Sequence, residues 1–280
     1  MARRATPRPV YDEPGLVTPT DVTRHLWGDA DSGYVGDEVL LSTDKLHALI
    51  FTLPPGGRFG HSTDNRTVFA ADEVYVVLEG TIAVIDPALG QVVKASAGDG
   101  VFFRRDTWHH GVNWGTGPVR VLEFFSPPPS TGASSAYAKT VPYLESPTHA
   151  DDSVLGHWPM QRAMWEDKDT LHLVREQDLR WRAEGDVQVG LLCSTEHLTV
   201  AELTVLPGDS SALRRNDGDA LIHVTDGEMH VHTPDAANAT WWRVRAGDSM
   251  VIPEGFAYRL VNQSDAPARA ISGSAPGYLA

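Results

Sequence analysis

Residues 98–113 read Gly98-Asp-Gly-Val-Phe-Phe-Arg-Arg-Asp-Thr-Trp-His-His-Gly-Val-Asn113, and this stretch decides the fold. A Gly-Asp turn feeds an apolar run, a polar turn follows, and a histidine enters the next run with an asparagine four residues later. Short runs rich in Val and Phe, bounded by Gly, Asp and Asn, read as β-strands joined by tight turns. Upstream, Glu73-Val-Tyr-Val-Val-Leu-Glu-Gly80 puts a carboxylate at the head of another β-rich run that closes on a glycine turn. Long helical periodicity is scarce along the whole chain, so the expected class is all-β, a barrel or sandwich.

The chain also repeats itself. Ser42, Thr43, Leu46, Thr52, Pro55 and Gly56 match Ser194, Thr195, Leu198, Thr204, Pro207 and Gly208 at a constant offset of 152. Further on, Gly80 matches Gly227, Gly98 matches Gly247 and Asn113 matches Asn262. A second half that repeats the first predicts two similar domains in one chain. The Pro/Ser-rich run Ser126-Pro-Pro-Pro-Ser-Thr-Gly-Ala-Ser-Ser-Ala reads as the linker between them.

The two quoted stretches resemble the two sequence motifs of the cupin superfamily. The resemblance implies two antiparallel jelly-roll barrels, a bicupin. It divides the chain into an N-terminal arm (1–35), a first cupin domain with the metal site (36–126), a linker and connecting segment (127–185) and a degenerate, structural second cupin domain (186–280). In that family one metal ion is held by inward-pointing His and Glu side chains. The matching positions here are His61, Glu73 and His109. Glu73 and Gly80 keep the spacing of the first motif. Gly98, His109 and Asn113 keep that of the second, with Arg104 and Asp106 in place of its Pro and Gly.

The first motif carries a departure. From Pro55 to Gly80 is 25 residues but from Pro207 to Gly227 only 20, which places an insertion within Ser62 to Asp72. The family's second histidine is lost there, and Thr63, Asp64 or Asp72 could stand in as a fourth ligand. In the second half the ligand positions become Ala220, residues near Leu213 to Arg215, and Tyr258, so no metal is expected in that barrel.

Composition narrows the function. A net charge of -14 disfavours nucleic acid or an anionic membrane as partner, since either would be repelled. The basic residues Arg3, Arg4 and Arg8 lack a following apolar stretch and read as a tail, and no run of about 18 apolar residues is present to span a membrane. The lone Cys193 excludes an internal disulfide and points to a buried thiol in the reducing cytoplasm.

Two imidazoles and one carboxylate leave positions open for water, substrate or oxygen. This set suits Fe(II) first, with Zn, Mn or Ni also fitting. The expectation is therefore a non-haem Fe(II) dioxygenase acting on a small oxygenated organic acid or phenolic compound. The alternatives are a Zn- or Mn-dependent isomerase, lyase or decarboxylase passing through an enolate, or a non-catalytic small-molecule binder. Arg58, Arg66 and Arg104 are candidates to clamp a substrate carboxylate, since a guanidinium grips one bidentately. Tyr75, His110 and Trp108 are expected to line the pocket. The resemblance further implies a homodimer and a small-molecule partner.

Overall fold

The computed structural model describes residues 6–61, 67–69, 71–105, 107–126, 138–140 and 169–276. Among the described residues it is built from strands, with a single 3-10 turn at Glu176–Asp178. No helix among the described residues is long and apolar enough to cross a membrane.

Each half is a pair of facing sheets. In the first, a seven-stranded sheet runs in the order Leu171–Val174, Gly100–Phe103, Asp72–Glu79, Val119–Ser126, His47–Leu53, Gly33–Ser42, Thr23–Asp29. Facing it is a four-stranded sheet, Arg58–Phe59, His110–Asn113, Thr81–Asp86, Gln91–Ser96. The second half repeats the plan. Its large sheet runs Gly15–Val17, Ser249–Ile252, Asp219–Asp226, Ala268–Ala275, Thr199–Val205, Val187–Ser194, Arg180–Glu184, opposite Arg214–Arg215, Ala257–Val261, Glu228–His232 and Trp241–Arg245. The expected pair of jelly-roll barrels is present.

The repeated residues hold the same places in both. The Asn113 side-chain amide donates to the carbonyls of Leu53, Pro54 and Gly117, and that of Asn262 donates to Val205 and Ala266. Each buried asparagine therefore pins two turns whose carbonyls would otherwise lose their partners. Gly80 and Gly227 turn at φ +79° and +71°, and a Cβ at either would press on the backbone opposite, Pro118 O at 2.6 Å and Pro267 O at 2.7 Å.

The ends of the sheets differ from the expected boundaries. Gly15–Val17, in the stretch expected as an arm, pairs with Ser249–Ile252 of the second barrel, whereas Thr23–Asp29 pairs with Gly33–Ser42 of the first. Within the connecting segment, Leu171–Val174 pairs with Gly100–Phe103 of the first barrel. Each large sheet thus gains an edge strand from outside its own repeat, which satisfies main-chain groups that an open edge would leave bare.

Strand alternation sends one face of each large sheet into its own barrel and the other against its neighbour. Val35, Leu49, Phe51, Tyr75, Val77, Val101 and Phe103 fill the first barrel. Between the barrels, Leu41, Ile50, Val74, Val76, Leu122 and Phe124 meet Leu192, Cys193, Leu198, Val200, Leu221 and Ile271. Cys193 lies in this seam, where burial pushes its thiol up to about 12, and it is inert there.

The seam is close enough that a Cβ on Gly273 would stand 2.4 Å from the Phe124 ring. Gly273→Val is expected to cost about 1–3 kcal/mol in urea denaturation, the usual range for overpacking. Combined with Phe124→Ala, the double variant should lose less than the sum of the two single losses. Additive losses would place the two residues out of contact.

Candidate metal centre in the first barrel

Glu73 is the second residue of the strand Asp72–Glu79, opposite Phe103 on one side and Phe125 on the other. It shares a face with Tyr75 and Val77 and so points into the barrel. His109 precedes the strand His110–Asn113 and is caged by Phe59, Tyr75 and Phe103, with ring centroids at 6.0, 5.9 and 4.5 Å. Its Nδ1 lies 3.3 Å from the Thr107 carbonyl. A carbonyl only accepts, so the proton sits on Nδ1 and Nε2 presents a lone pair. Burial lowers the imidazole to about 4, so it is neutral near pH 7.

That lone pair faces Glu73 Oε2 at 3.7 Å, and this oxygen is buried with no hydrogen-bond partner. Burial, and then the charges of Glu123 and Asp72, push the Glu73 carboxyl well up. Two acceptor atoms confronting each other in a dry site are costly unless a proton or a cation lies between them. The donor chemistry, one carboxylate oxygen and one neutral imidazole, fits a divalent ion.

His61 stands at the rim, its ring 6.4 Å from His109 and edge-on to Trp108 at 4.0 Å. Its backbone N–H donates to His110 Nε2 at 3.1 Å. Among the described residues no three His, Cys, Asp or Glu side chains converge to ligating distance. The structure therefore brings Glu73 and His109 together and leaves His61 beside them.

Several expected roles change. Asp72 cannot be a fourth ligand, because consecutive strand residues face opposite ways and its neighbour Glu73 takes the interior. Asp72 instead lies 3.0 Å from Arg104 Nε, without hydrogen-bonding alignment, and Arg104 also reaches Glu196 of the second barrel at 3.0 Å. Arg104 is thus a tie between barrels, not a substrate clamp. Arg58 is exposed on the face opposite the inward Phe59, so it does not enter the pocket either. His110 turns away from His109 and supports the His61 backbone, which makes it a positioning residue. Tyr75 does line the interior. Thr63, Asp64, Arg66 and Asp106 lie outside the described residues. Of the insertion, Thr67–Phe69 forms a two-stranded sheet with Ala138–Thr140.

Two interior residues went unnoticed in the sequence. Glu123 pairs with Tyr75 and Leu49, and Asp37 pairs with Phe51, all in inward-facing register. Burial raises Asp37 to about 7, and burial together with the Asp37 charge raises Glu123 to about 8. The available signal was one acid at an inward position of each apolar alternation, Val35-Gly-Asp and Val121-Leu-Glu-Phe-Phe125.

Comparison with known proteins agrees with this architecture. The cupin-domain family model matches residues 49–125 and 201–273, and the chain belongs to that family, carrying two cupin domains. No curated protein sequence matches the chain. Among solved structures, the chain is similar to oxalate decarboxylase from Lactobacillus farciminis in complex with formate, at 16% identity and TM-score 0.60 over 95% of this chain and 86% of that one. It is similar to Bacillus subtilis oxalate decarboxylase, studied for its Mn(II) centres, at 13% identity and TM-score 0.61 over 99% and 80%. Protein Ylba from E. coli aligns at 12% identity and TM-score 0.64 over 98% and 94%. At these identities the likeness concerns the fold. The expectation of an Fe(II) dioxygenase is overturned: the enzymes among these neighbours are decarboxylases, which are lyases, and the metal named is manganese.

Asp37 gives a test of the interior. Its folded pKa of about 7 exceeds its ordinary value of 3.8, so its contribution to stability is whole below about pH 4 and is lost as pH rises towards 7. In metal-stripped protein, Asp37→Asn should match wild type near pH 4 and gain on it by up to about 4 kcal/mol at pH 7. Chemical denaturation across that range measures the difference. An unchanged or reduced stability at pH 7 would contradict the buried placement.

Proposed function

We propose that the first barrel binds one divalent metal ion and works as a non-redox enzyme, a lyase or isomerase, on a small polar molecule. The observation that carries this is the unpartnered Glu73 Oε2 facing the lone pair of His109 at 3.7 Å. Glu73 and His109 would hold the ion, with His61 the adjacent third donor. A bound divalent ion supplies Lewis acidity, which stabilises negative charge developing on a substrate oxygen. Phe59, Tyr75 and Phe103 keep the site dry, which strengthens every charge interaction in it. The Thr107 carbonyl fixes the tautomer that leaves His109 Nε2 available.

The second barrel supports the reading by contrast. Register places Ala220 where the first has Glu73, and Tyr258, packed in the apolar core, where the first has His109. Its role is to cover the first barrel's outer face. The decarboxylase neighbours supply a reaction class and no more, because no Lys or Arg among the described residues is buried in the first barrel to receive a dianion such as oxalate. Ligand binding without catalysis is a second reading, favoured by the lack of a third converging donor among the described residues.

Chelated protein titrated with Mn(II) and followed by electron paramagnetic resonance should bind one ion per chain. His109→Ala and Glu73→Gln should each weaken binding at least about tenfold, the loss of roughly 1.4 kcal/mol or more. Tyr258→Phe should bind as wild type. Full occupancy in His109→Ala would refute the site. No binding by wild type would select the ligand-binding reading.

A further inference from the structure

A cleft lies outside the first barrel, where the two large sheets meet. Its volume is about 500 Å³, the size of a small-molecule pocket. Equivalent positions of the two repeats form its walls: Val76, Glu79 and Arg120 from the first barrel, and His223, Asp226 and Arg269 from the second. It is separate from the candidate metal centre, because Val76 faces the seam whereas Glu73 enters the barrel.

The halves of the cleft differ most at His223. This side chain is 4% exposed, and burial, followed by the charge of Arg120, lowers its imidazole to about 4, so it is neutral near pH 7. Its Nδ1 lies 2.9 Å from the hydroxyl of Ser249, which is fully buried and has no other partner among the described residues. A hydroxyl with one neighbour directs its proton there, so Ser249 donates to Nδ1 and the imidazole proton sits on Nε2. Nε2 has no hydrogen-bond partner among the described residues, and its N–H is offered to whatever fills the cleft. The first barrel has Val76 paired with Gly100 where the second has His223 paired with Ser249. The same architecture thus folds without the histidine and the serine.

Charge is divided across the cleft. Arg120 and Arg24 share one carboxylate, Glu38, at 3.1 and 3.7 Å, which leaves positive charge over beside His223. Arg269 is held instead by two carboxylates, Glu202 and Glu176. Glu79 and Asp226 end their strands at exposed positions, with no ion pair or hydrogen bond among the described residues. Asp226 lies three residues beyond His223, roughly 10 Å along a strand. Unmatched donors and unmatched carboxylates therefore stand at different places in one cleft.

We infer that this cleft binds a small zwitterionic molecule, whose carboxylate is received by His223 Nε2 and Arg120 and whose ammonium group is held by Glu79 and Asp226. A carboxylate accepts from an imidazole N–H and a guanidinium, and an ammonium group donates to carboxylates. A simple anion would use the two donors but meet the acids, and a simple cation would leave the donors unmatched. The second barrel thereby takes part in binding besides covering the first.

Three probes with the same carbon chain separate the classes. Near pH 7, 5-aminopentanoate carries both charges, pentanoate only the negative one and pentylamine only the positive one. Each is titrated into full-length protein stripped of metal, so that no ion holds a probe carboxylate, and binding is read by saturation-transfer NMR and calorimetry. 5-Aminopentanoate should bind at least about tenfold more tightly than either analogue, the worth of one charge-assisted hydrogen bond. His223→Val, which matches Val76 of the first barrel, should bring it towards pentylamine. The double variant Glu79→Gln, Asp226→Asn, at exposed positions, should bring it towards pentanoate. Either analogue binding wild type as tightly as 5-aminopentanoate, or its advantage surviving in either variant, would overturn the inference. Should His223→Val fail to fold, the double variant alone decides.

Discussion

A β-strand turns consecutive side chains to opposite faces, and the strand Asp72–Glu79 has a different core on each. Glu73, Tyr75 and Val77 enter the first barrel, while Asp72, Val74 and Val76 enter the seam with the second. A register slip of one residue would exchange the two sets and carry Glu73 away from His109. The register is held by pairing on both sides, with Gly100–Phe103 and Val119–Ser126. The seam holds it as well, through Phe124 seated over Gly273. The candidate site therefore depends on the packing of two barrels, not on one motif.

Polar ties between the repeats follow the same line. Thr43 donates to Asp219, Lys45 pairs with Glu254, and Arg104 bridges Asp72 and Glu196. The exposed pairs among them, Lys45–Glu254 and Arg104–Glu196, contribute little stability each. Their effect here is positional, since Asp72 is covalently next to Glu73 and is itself fully buried. The second barrel has Ala220 and Tyr258 where the first has Glu73 and His109, and shares with it the turns, the pinning asparagine and the face that meets its partner.

What could be read from the sequence was what is local along it. Glycine turns, Asn113 and the alternation around Glu73 are fixed by neighbours within a few residues, and they located two barrels and the Glu73–His109 pair. Arg104 was misplaced because its partner Glu196 lies 92 residues away and belongs to the other repeat. Asp72 was weighed as a ligand although strand alternation alone sends it to the far face from Glu73. Asp37 and Glu123 escaped because each is a single acid in an apolar run, and only strand pairing, through Phe51 and Leu49, brings them onto one wall. The choice of metal and reaction was not legible, since two imidazoles and a carboxylate suit several ions.

The central claim is that one barrel is built to hold a divalent ion and its repeat is not. The most direct test is a crystal of the protein soaked in Mn(II) and measured for anomalous scattering at the manganese edge. One peak is expected within coordination distance of Glu73 Oε2 and His109 Nε2, and none inside the second barrel. A peak in the second barrel, or manganese bound only at the surface with Glu73 and His109 still facing each other bare, would contradict it.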